Sequence, residues 1–271
     1  MISQPPAVVQ TQSAETPMVR IPGGTLDGKT IRAFQMDRTH VTVAQFRAFV
    51  KATRYVTEVE QAGGSEIRSL DTWDHIDVRG ASWRFPEGPS KPAARPDEPV
   101  VQITYADAIA YASWAGKRLP TAVEFEWAQR GGLAGKTYTW GDEELPGGKP
   151  MANYWHGPMI TGKPKPENLL DPYIKLAPVG KFPANGYGLY DMAGNAWELT
   201  SSPMEKGFVA LLGGSWRCSM PNPYVECCMG FACGTRQAIR IGDRRFFGAA
   251  GDNVGFRCVR DILVATITPR K

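Results

Sequence analysis

The sequence predicts one domain of mixed α and β structure in which loops outweigh regular elements, an α/β (α+β) fold with low regular secondary structure. Its 271 residues are 42% hydrophobic, which is enough for one sizeable core. The 29 glycines and 22 prolines are typical of a chain rich in turns, and the eight tryptophans supply large anchors for the core. We therefore expect a flexible leader over residues 1–17 and a single domain over residues 18–271.

Three helices are predicted from capping signals that precede apolar residues at helical spacing. They begin after Thr42, Thr104 and Thr121 and end near residues 53, 116 and 130. Four short apolar segments are typical of strands, at residues 18–22, 34–37, 207–212 and 254–259. Residues 54–99 are rich in glycine, proline and charge, and we expect Trp73 and Trp83 to pack this excursion into an ordered structure.

Charge and hydropathy exclude two classes of partner. The formal net charge of +4 is too small to indicate nucleic-acid binding, since such domains usually gather Lys and Arg into a dense stripe. The sequence contains no apolar run that approaches the roughly 18 residues needed to span a bilayer. We therefore expect no nucleic-acid partner and no membrane span.

All five cysteines lie in the last fifth of the chain. Such clustering is typical of disulfides that staple a long irregular loop, or of thiolates that bind a soft metal. Disulfides are favoured, because no CxxC pair with zinc-type spacing is present. The odd number leaves at least one thiol unpaired or joined to a partner. The five are Cys218, Cys227, Cys228, Cys233 and Cys258.

A series of short motifs runs in order along nearly the whole chain, from residue 21 to residue 260. They include Trp-Ala-Gly-Lys-Arg-Leu-Pro-Thr at 114–121, Gly-Asn-Ala-Trp-Glu at 194–198, Gly-Gly-Ser-Trp at 213–216 and Gly-Phe-Arg-Cys at 255–258. In this combination the chain resembles the formylglycine-generating-enzyme, or sulfatase-modifying factor, superfamily. The resemblance implies a fold related to C-type lectin domains. His40 departs from the pattern, since the family commonly has Glu there.

The resemblance also implies two structural calcium sites built from oxygen ligands, which this hard cation prefers. The first calcium set consists of Asn153, Tyr154, Asp171 and Tyr173. The second calcium set consists of Gly194, Asn195, Ala196 and Glu198. Taken as isolated acids, Asp171 and Glu198 would more often pair with arginine or cap turns.

Copper is a further cofactor that the resemblance implies. In the formylglycine-generating enzymes, a cysteine after the Gly-Gly-Ser-aromatic motif and a second one five positions later bind copper(I), where oxygen is reduced. Cys218 occupies the first position here, but Pro223 occupies the second. The next thiols, Cys227 and Cys228, lie nine and ten residues after Cys218. The spacing therefore departs from the family's copper site.

The segment from residue 217 to residue 260 carries seven arginines and no lysine. Guanidinium groups bind oxyanions in pairs, so this segment could line a cleft for an acidic peptide, although arginines equally often tie backbone carbonyls together. Glu226, Asp243 or His156 could act as a base there. The predicted catalytic residues are Cys218, Glu226, Cys227, Cys228 and Arg240. The predicted substrate-binding residues are Ser215, Trp216, Arg217, Arg236, Arg244 and Arg245.

These features together favour an exported, periplasmic oxidase that uses molecular oxygen on a peptide or peptide-siderophore substrate. Within the superfamily, the chain resembles the branch of fluorescent pseudomonads that matures the pyoverdine chromophore from dihydropyoverdine. Two alternatives stay open. One is a copper-dependent formylglycine-generating oxidase that acts on a sulfatase cysteine, and the other is a non-catalytic lectin-like binding module.

Overall fold

The computed structural model describes residues 16–70, 74–155, 170–205, 207–218, 233, 235–240 and 250–262. These residues contain four α-helices and eleven short strands. The helices are α1 (Val43–Thr53), α2 (Glu58–Ala62), α3 (Tyr105–Trp114) and α4 (Ala122–Arg130). The strands are β1 (Met18–Ile21), β2 (Gly24–Leu26), β3 (Lys29–Ile31), β4 (Phe34–Asp37), β5 (Gly64–Arg68), β6 (His75–Arg79), β7 (Trp197–Pro203), β8 (Phe208–Leu212), β9 (Gln237–Arg240), β10 (Val254–Gly255) and β11 (Val259–Asp261).

Two sheets and two hairpins make up the β structure of the described residues. A three-stranded antiparallel sheet has the order β1-β4-β11, so it joins the beginning of the described chain to its end. A four-stranded sheet has the order β10-β7-β8-β9, in which β10 runs parallel to β7 and the other pairs are antiparallel. The hairpins are β2-β3 and β5-β6. The predicted strand segments at 18–22, 34–37 and 207–212 are confirmed as β1, β4 and β8. The segment predicted at 254–259 is divided, since residues 254–255 form β10 in the four-stranded sheet and residue 259 begins β11 in the three-stranded sheet.

A capping box begins each of the four helices. The side chains of Thr42, Thr104 and Thr121 accept from the backbone N–H three residues later, which confirms the three predicted starts. Thr57 begins α2 in the same way, and the sequence analysis did not predict this helix. Just beyond α3, Gly116 adopts a left-handed φ of +64°, which confirms the predicted stop. Within the described residues, every helix is too short or too polar to traverse a bilayer.

Aromatic packing joins the excursion at residues 54–99 to the core. The ring of Phe46 on α1 lies 5.3 Å from the ring of Trp83 and 5.9 Å from that of Tyr111 on α3. Trp83 is fully buried, so the prediction that it orders the excursion is confirmed, whereas Trp73 lies outside the described residues. Tyr111 also contacts Phe256, which lies just before β11. A second cluster packs the three-stranded sheet against α4 and includes Ile21, Phe34, Met36, Phe125 and Leu212.

Two buried ion pairs join distant segments of the chain within this core. Nε and Nη2 of Arg257 donate to the carboxylate of Glu198 in β7 at 2.7 to 3.0 Å, and both side chains are 0% exposed. The guanidinium also donates to the carbonyl oxygens of residues 37, 38, 190 and 191. In the second pair, Lys117 Nζ lies 2.6 Å from an oxygen of Asp37. Burial raises the pKa of Asp37, and the charge of Lys117 opposes that shift.

Arg257→Ala should lower the free energy of unfolding by about 3–5 kcal/mol, because it leaves the Glu198 carboxylate buried without its guanidinium partner. Arg95→Ala is the control, since Arg95 pairs with Glu98 at a site where the arginine is 53% exposed. Loss of this exposed pair should cost about 0–1 kcal/mol. Chemical denaturation followed by tryptophan fluorescence measures both values. Equal losses in the two variants would contradict the structural role of Arg257.

Candidate functional site

Cys218 lies in a hydrogen-bonded turn that follows β8. Gly213 and Gly214 turn the chain there with left-handed φ angles of +92° and +77°. The backbone N–H of Ser215 donates to Cys218 Sγ at 3.2 Å, and Ser215 Oγ lies 3.8 Å from the same sulfur. Asn253 Nδ2 donates to Ser215 Oγ at 3.0 Å. These three side chains, Ser215, Cys218 and Asn253, form what we call the Cys218 network, in which the serine links the thiol to the segment before β10.

Two cations flank the indole next to this network. Lys175 Nζ lies 5.6 Å from the centroid of the Trp216 ring, and Arg217 Cζ lies 5.0 Å from it. Arg217 forms an ion pair with Asp252, and Lys175 Nζ lies 2.6 Å from a carboxylate oxygen of Glu87. Burial lowers the pKa of Lys175, and Glu87 opposes that shift. We call Lys175 and Arg217 the cation pair, and each member is held by its own carboxylate.

The β5-β6 hairpin brings an acid and an imidazole to the same region. His75 Nδ1 contacts a carboxylate oxygen of Glu66, which is buried, and Arg68 contacts the other ring nitrogen. Burial lowers the pKa of His75, and the charge of Arg217 lowers it further. The side chain of His75 is 39% exposed, so this ring is accessible to solvent at the edge of the region.

Four of the predicted site residues lie together in the structure, but their side chains are less exposed than predicted. Ser215, Trp216, Arg217 and Cys218 are adjacent, as the motif requires. However, Ser215, Trp216 and Cys218 are at most 1% exposed, whereas we expected them to line an open substrate cleft. The indole of Trp216 packs in the core, and the hydroxyl of Ser215 accepts a hydrogen bond from Asn253. Arg217 remains the one of the four whose side chain reaches the surface, at 11% exposure.

Arg236 does not join this group. Its guanidinium pairs with Glu126 on α4 at 3.1 Å, and the same carboxylate pairs with Arg130. This guanidinium thus pairs with an acid on α4, away from the turn at 215–218, and its role in substrate binding stays a prediction. The main chain of Arg240 lies in β9. The Arg240 side chain and five other predicted residues lie outside the described part of the chain: Glu226, Cys227, Cys228, Arg244 and Arg245.

Five residues that interact with the turn at 215–218, directly or through a neighbouring side chain, were not predicted from the sequence. Two of them, Asp252 and Asn253, come directly before the segment at 254–258, which contains the Gly-Phe-Arg-Cys motif. Their position next to this motif could have indicated them as site residues. The other three, Glu66, His75 and Lys175, come from distant parts of the chain. Their approach depends on the tertiary structure, and the local sequence carries no signal for it.

The described residues do not complete a copper site. Cys233 and Cys258 are free thiols, so neither takes part in the predicted disulfides. Burial raises the pKa of Cys233 to about 11 and places that of Cys258 well above its usual value, so both are poor thiolate ligands. Across the ranges that the structure describes, no group of three or more His, Cys, Asp or Glu side chains is arranged to hold a metal ion. The two remaining candidate sulfur ligands, Cys227 and Cys228, lie outside those ranges.

The first calcium set fits a hard cation. Asn153 is 1% exposed, and its Nδ2 donates to two oxygen atoms, one of them the carbonyl of Lys175. Its Oδ1 is buried without a hydrogen-bond partner among the described residues. Asp171 accepts the backbone N–H of Tyr173 at 2.8 Å, and burial raises the pKa of its carboxyl to about 6. A buried carboxylate and an unpartnered carbonyl oxygen are ligands that a calcium ion would satisfy.

The second calcium set does not fit a cation. The carbonyl oxygen of Ala196 accepts from His40 Nε2 at 2.9 Å, and the Glu198 carboxylate is held by Arg257. Asn195 Oδ1 already accepts two hydrogen bonds, from Asn153 Nδ2 and from a backbone N–H. Gly194 lies so close to Asn153 that a Cβ at position 194 would be 2.3 Å from the backbone carbonyl oxygen of Asn153. As placed in this structure, these four residues therefore do not fit a calcium ion.

Residues 5–262 of the chain match the family described as sulfatase-modifying factor enzyme 1-like domain. The chain belongs to this family. The formylglycine-generating enzyme of Streptomyces coelicolor is 37% identical over 297 residues, which cover 90% of this chain and 88% of that enzyme. Inactive C-alpha-formylglycine-generating enzyme 2 of Bos taurus is 35% identical, covering 89% of this chain and 87% of that protein.

Among solved structures, that of PvdO from Pseudomonas aeruginosa is similar with a TM-score of 0.61, at 23% identity, covering 90% of this chain and 94% of that one. This likeness confirms the predicted fold class of the family, a mixed α/β structure with few helices and several small sheets. The family assignment makes the chain an oxygen-dependent oxidoreductase of the formylglycine-generating-enzyme type.

Ser215→Ala should destabilise the protein by about 1–3 kcal/mol, because it leaves the amide of Asn253 without its acceptor in a buried setting. Ser90→Ala, at an exposed position, is the control and should change stability by about 0.5 kcal/mol or less. Thermal and chemical denaturation measure the difference. If the two variants are equally stable, the serine is not the link that holds the Cys218 network.

Proposed function

We propose that this chain is an exported oxidase that matures a peptide siderophore, converting a dihydro precursor of the pyoverdine type into its chromophore beside the Cys218 network. The observation that carries the proposal is the cation pair, Lys175 and Arg217, on the Trp216 ring. Ammonium and guanidinium groups bind carboxylate and catecholate oxygens. An acidic or catechol-bearing peptide presents such oxygens, and these would compete with Asp252 and Glu87 for the cations.

The oxidation removes two electrons and two protons from the dihydro precursor, and molecular oxygen accepts both pairs to give hydrogen peroxide. The chain then has to bind the oxyanion, orient the ring and accept a proton. The pair of Glu66 and His75 is suited to the last task, because the lowered pKa of His75 keeps its ring neutral at pH 7. Cys218 contributes a thiol whose orientation Ser215 fixes.

A second candidate function is the oxidation of a sulfatase cysteine to formylglycine. It is favoured by the 37% identity with the Streptomyces coelicolor enzyme and by the position of Cys218 after the Gly-Gly-Ser-Trp motif. Pro223 stands where the family's second copper ligand is expected, so Cys227 or Cys228 would have to complete a copper(I) site. Since the second candidate function needs a copper(I) site and the first does not, a measurement of copper binding distinguishes the two.

Calcium at the first calcium set belongs to the same proposal. The ion would tie residues 153–154 to the turn at 171–173 and would satisfy Asn153 Oδ1. Extracellular calcium modules bind in the range of about 0.1–1 mM, a supply that exported compartments provide. The calcium set therefore supports an exported, periplasmic location.

Cys218→Ala should abolish oxidation of a dihydropyoverdine-type substrate, and Arg217→Ala should raise KM about tenfold, the usual cost of one charge-assisted contact. Arg95→Ala, at an exposed ion pair, should leave both kinetic constants unchanged. Chromophore absorbance and oxygen consumption measure turnover. Full activity in Cys218→Ala contradicts the proposed site.

The competing function is tested with the same protein preparation. Copper(I) titration of the reduced protein is combined with a peptide that contains a Cys-x-Pro-x-Arg motif. Tight copper binding together with conversion of the peptide cysteine to an aldehyde would establish the second candidate. Siderophore oxidation without aldehyde formation supports the first.

Removal of calcium should lower the thermal stability of the protein, because a ligand present at about 100 times its Kd stabilises the folded state by about 2.7 kcal/mol. Asn153→Ala should lose this calcium-dependent shift in Tm. Asn185→Ala is the control, since the Asn185 amide bonds to backbone atoms next to α4 and should keep the shift. Calcium dependence that persists in Asn153→Ala contradicts the first calcium set.

A further inference from the structure

We propose that His40 occupies the cation position of the loop at residues 194–198, so that this loop binds no calcium. The loop has the sequence Gly-Asn-Ala-Trp-Glu, for which the family resemblance implies a metal site. The inference goes beyond the proposed function, because it concerns the metal content of the protein and not its substrate. It also stands independently of the first calcium set.

The position of the His40 ring is the first observation. His40 is 0% exposed, and its Nε2 lies 2.9 Å from the carbonyl oxygen of Ala196 and 3.3 Å from Glu198 Oε1. A carbonyl oxygen can only accept a hydrogen bond, so Nε2 carries the proton and donates. One ring nitrogen therefore faces two of the oxygen atoms that a calcium ion would need.

The carboxylate of Glu198 also accepts hydrogen bonds from Arg257. Glu198 Oε2 accepts from Nε of Arg257 at 2.7 Å, and Oε1 accepts from Nε and Nη2 at 3.0 and 2.8 Å. Oδ2 of the neighbouring acid, Asp191, accepts the backbone N–H of Gly180 at 2.7 Å. Hydrogen-bond donors of the protein therefore already contact the carboxylate oxygens of both Glu198 and Asp191.

Calcium requires six to eight oxygen ligands at about 2.3–2.6 Å. To reach Ala196 O and Glu198, the ion would have to displace the His40 ring from a fully buried position and break the contacts of Arg257. Nitrogen donors cannot serve as ligands while they carry their protons. The contrast with Asn153 is direct, since Asn153 Oδ1 has no donor facing it among the described residues.

Replacing His40 with glutamate removes the N–H donor and adds a third carboxylate near Glu198 and Asp191. Three acids and the carbonyl of Ala196 would then face a single guanidinium, an arrangement that favours a divalent cation. His40→Glu should therefore open a calcium site that the natural chain does not have.

The experiment counts calcium in protein that carries Asn153→Ala, which disables the first calcium set. Equilibrium dialysis against up to about 1 mM Ca²⁺ and native mass spectrometry give the stoichiometry, and circular dichroism confirms folding. We expect no tightly bound ion in Asn153→Ala and one ion in the double variant with His40→Glu. Calcium retained by Asn153→Ala at the 194–198 loop, located by anomalous diffraction, overturns the proposal.

Failure of a folded His40→Glu variant to gain an ion overturns the assignment of His40 as the excluding group. If that variant does not fold, the unsubstituted protein decides the matter by its own stoichiometry. An ion located at the first calcium set alone, or none, supports the inference, and any ion located at the 194–198 loop overturns it. The failure of the proposed oxidation is distinguishable, because calcium counting uses no substrate.

Discussion

The buried pair of Arg257 and Glu198 is the interaction on which the rest of this structure depends. Its guanidinium makes three bonds to the carboxylate and four more to carbonyl oxygens of residues 37, 38, 190 and 191. One side chain therefore joins β4, the segment before the 194–198 loop, and β7. This domain has few long helices or strands. The hydrogen bonds of Arg257 therefore take the place of the backbone ladders that would otherwise hold these segments together.

The start of the same strand also contacts the candidate active site. The backbone N–H of Trp216 donates to the carbonyl of Asn195 at 2.9 Å, and that of Trp197 donates to the carbonyl of Asn253 at 2.8 Å. Trp216, which follows Ser215, and Asn253, which donates to Ser215, are thus both hydrogen-bonded to residues at or just before the start of β7. The Cys218 network is therefore attached to the strand that carries Glu198.

Much of the fold could be predicted because its signals are local. A capping box spans four residues, so the boxes at Thr42, Thr104 and Thr121 could be recognised directly. The apolar segments of β1, β4 and β8 are contiguous. The two ion pairs join residues 59 and 80 positions apart, Arg257 with Glu198 and Lys117 with Asp37, and no local pattern indicates such a partner.

The candidate site was predicted only in part for the same reason. Motif order singled out residues 215–218, but it gave no account of their burial. No local signal indicated that the carboxylate of Glu198 pairs with Arg257, which lies in a motif that we interpreted separately. The hairpin residues Glu66 and His75 reach the site through tertiary packing alone.

Lys175 gives this arrangement a further property. Its carbonyl oxygen accepts the amide of Asn153 at 2.8 Å, while its ammonium group lies over Trp216. One residue therefore contacts the first calcium set through its main chain and Trp216 through its charge. A calcium ion at the first calcium set would act directly on the segment that carries this charge.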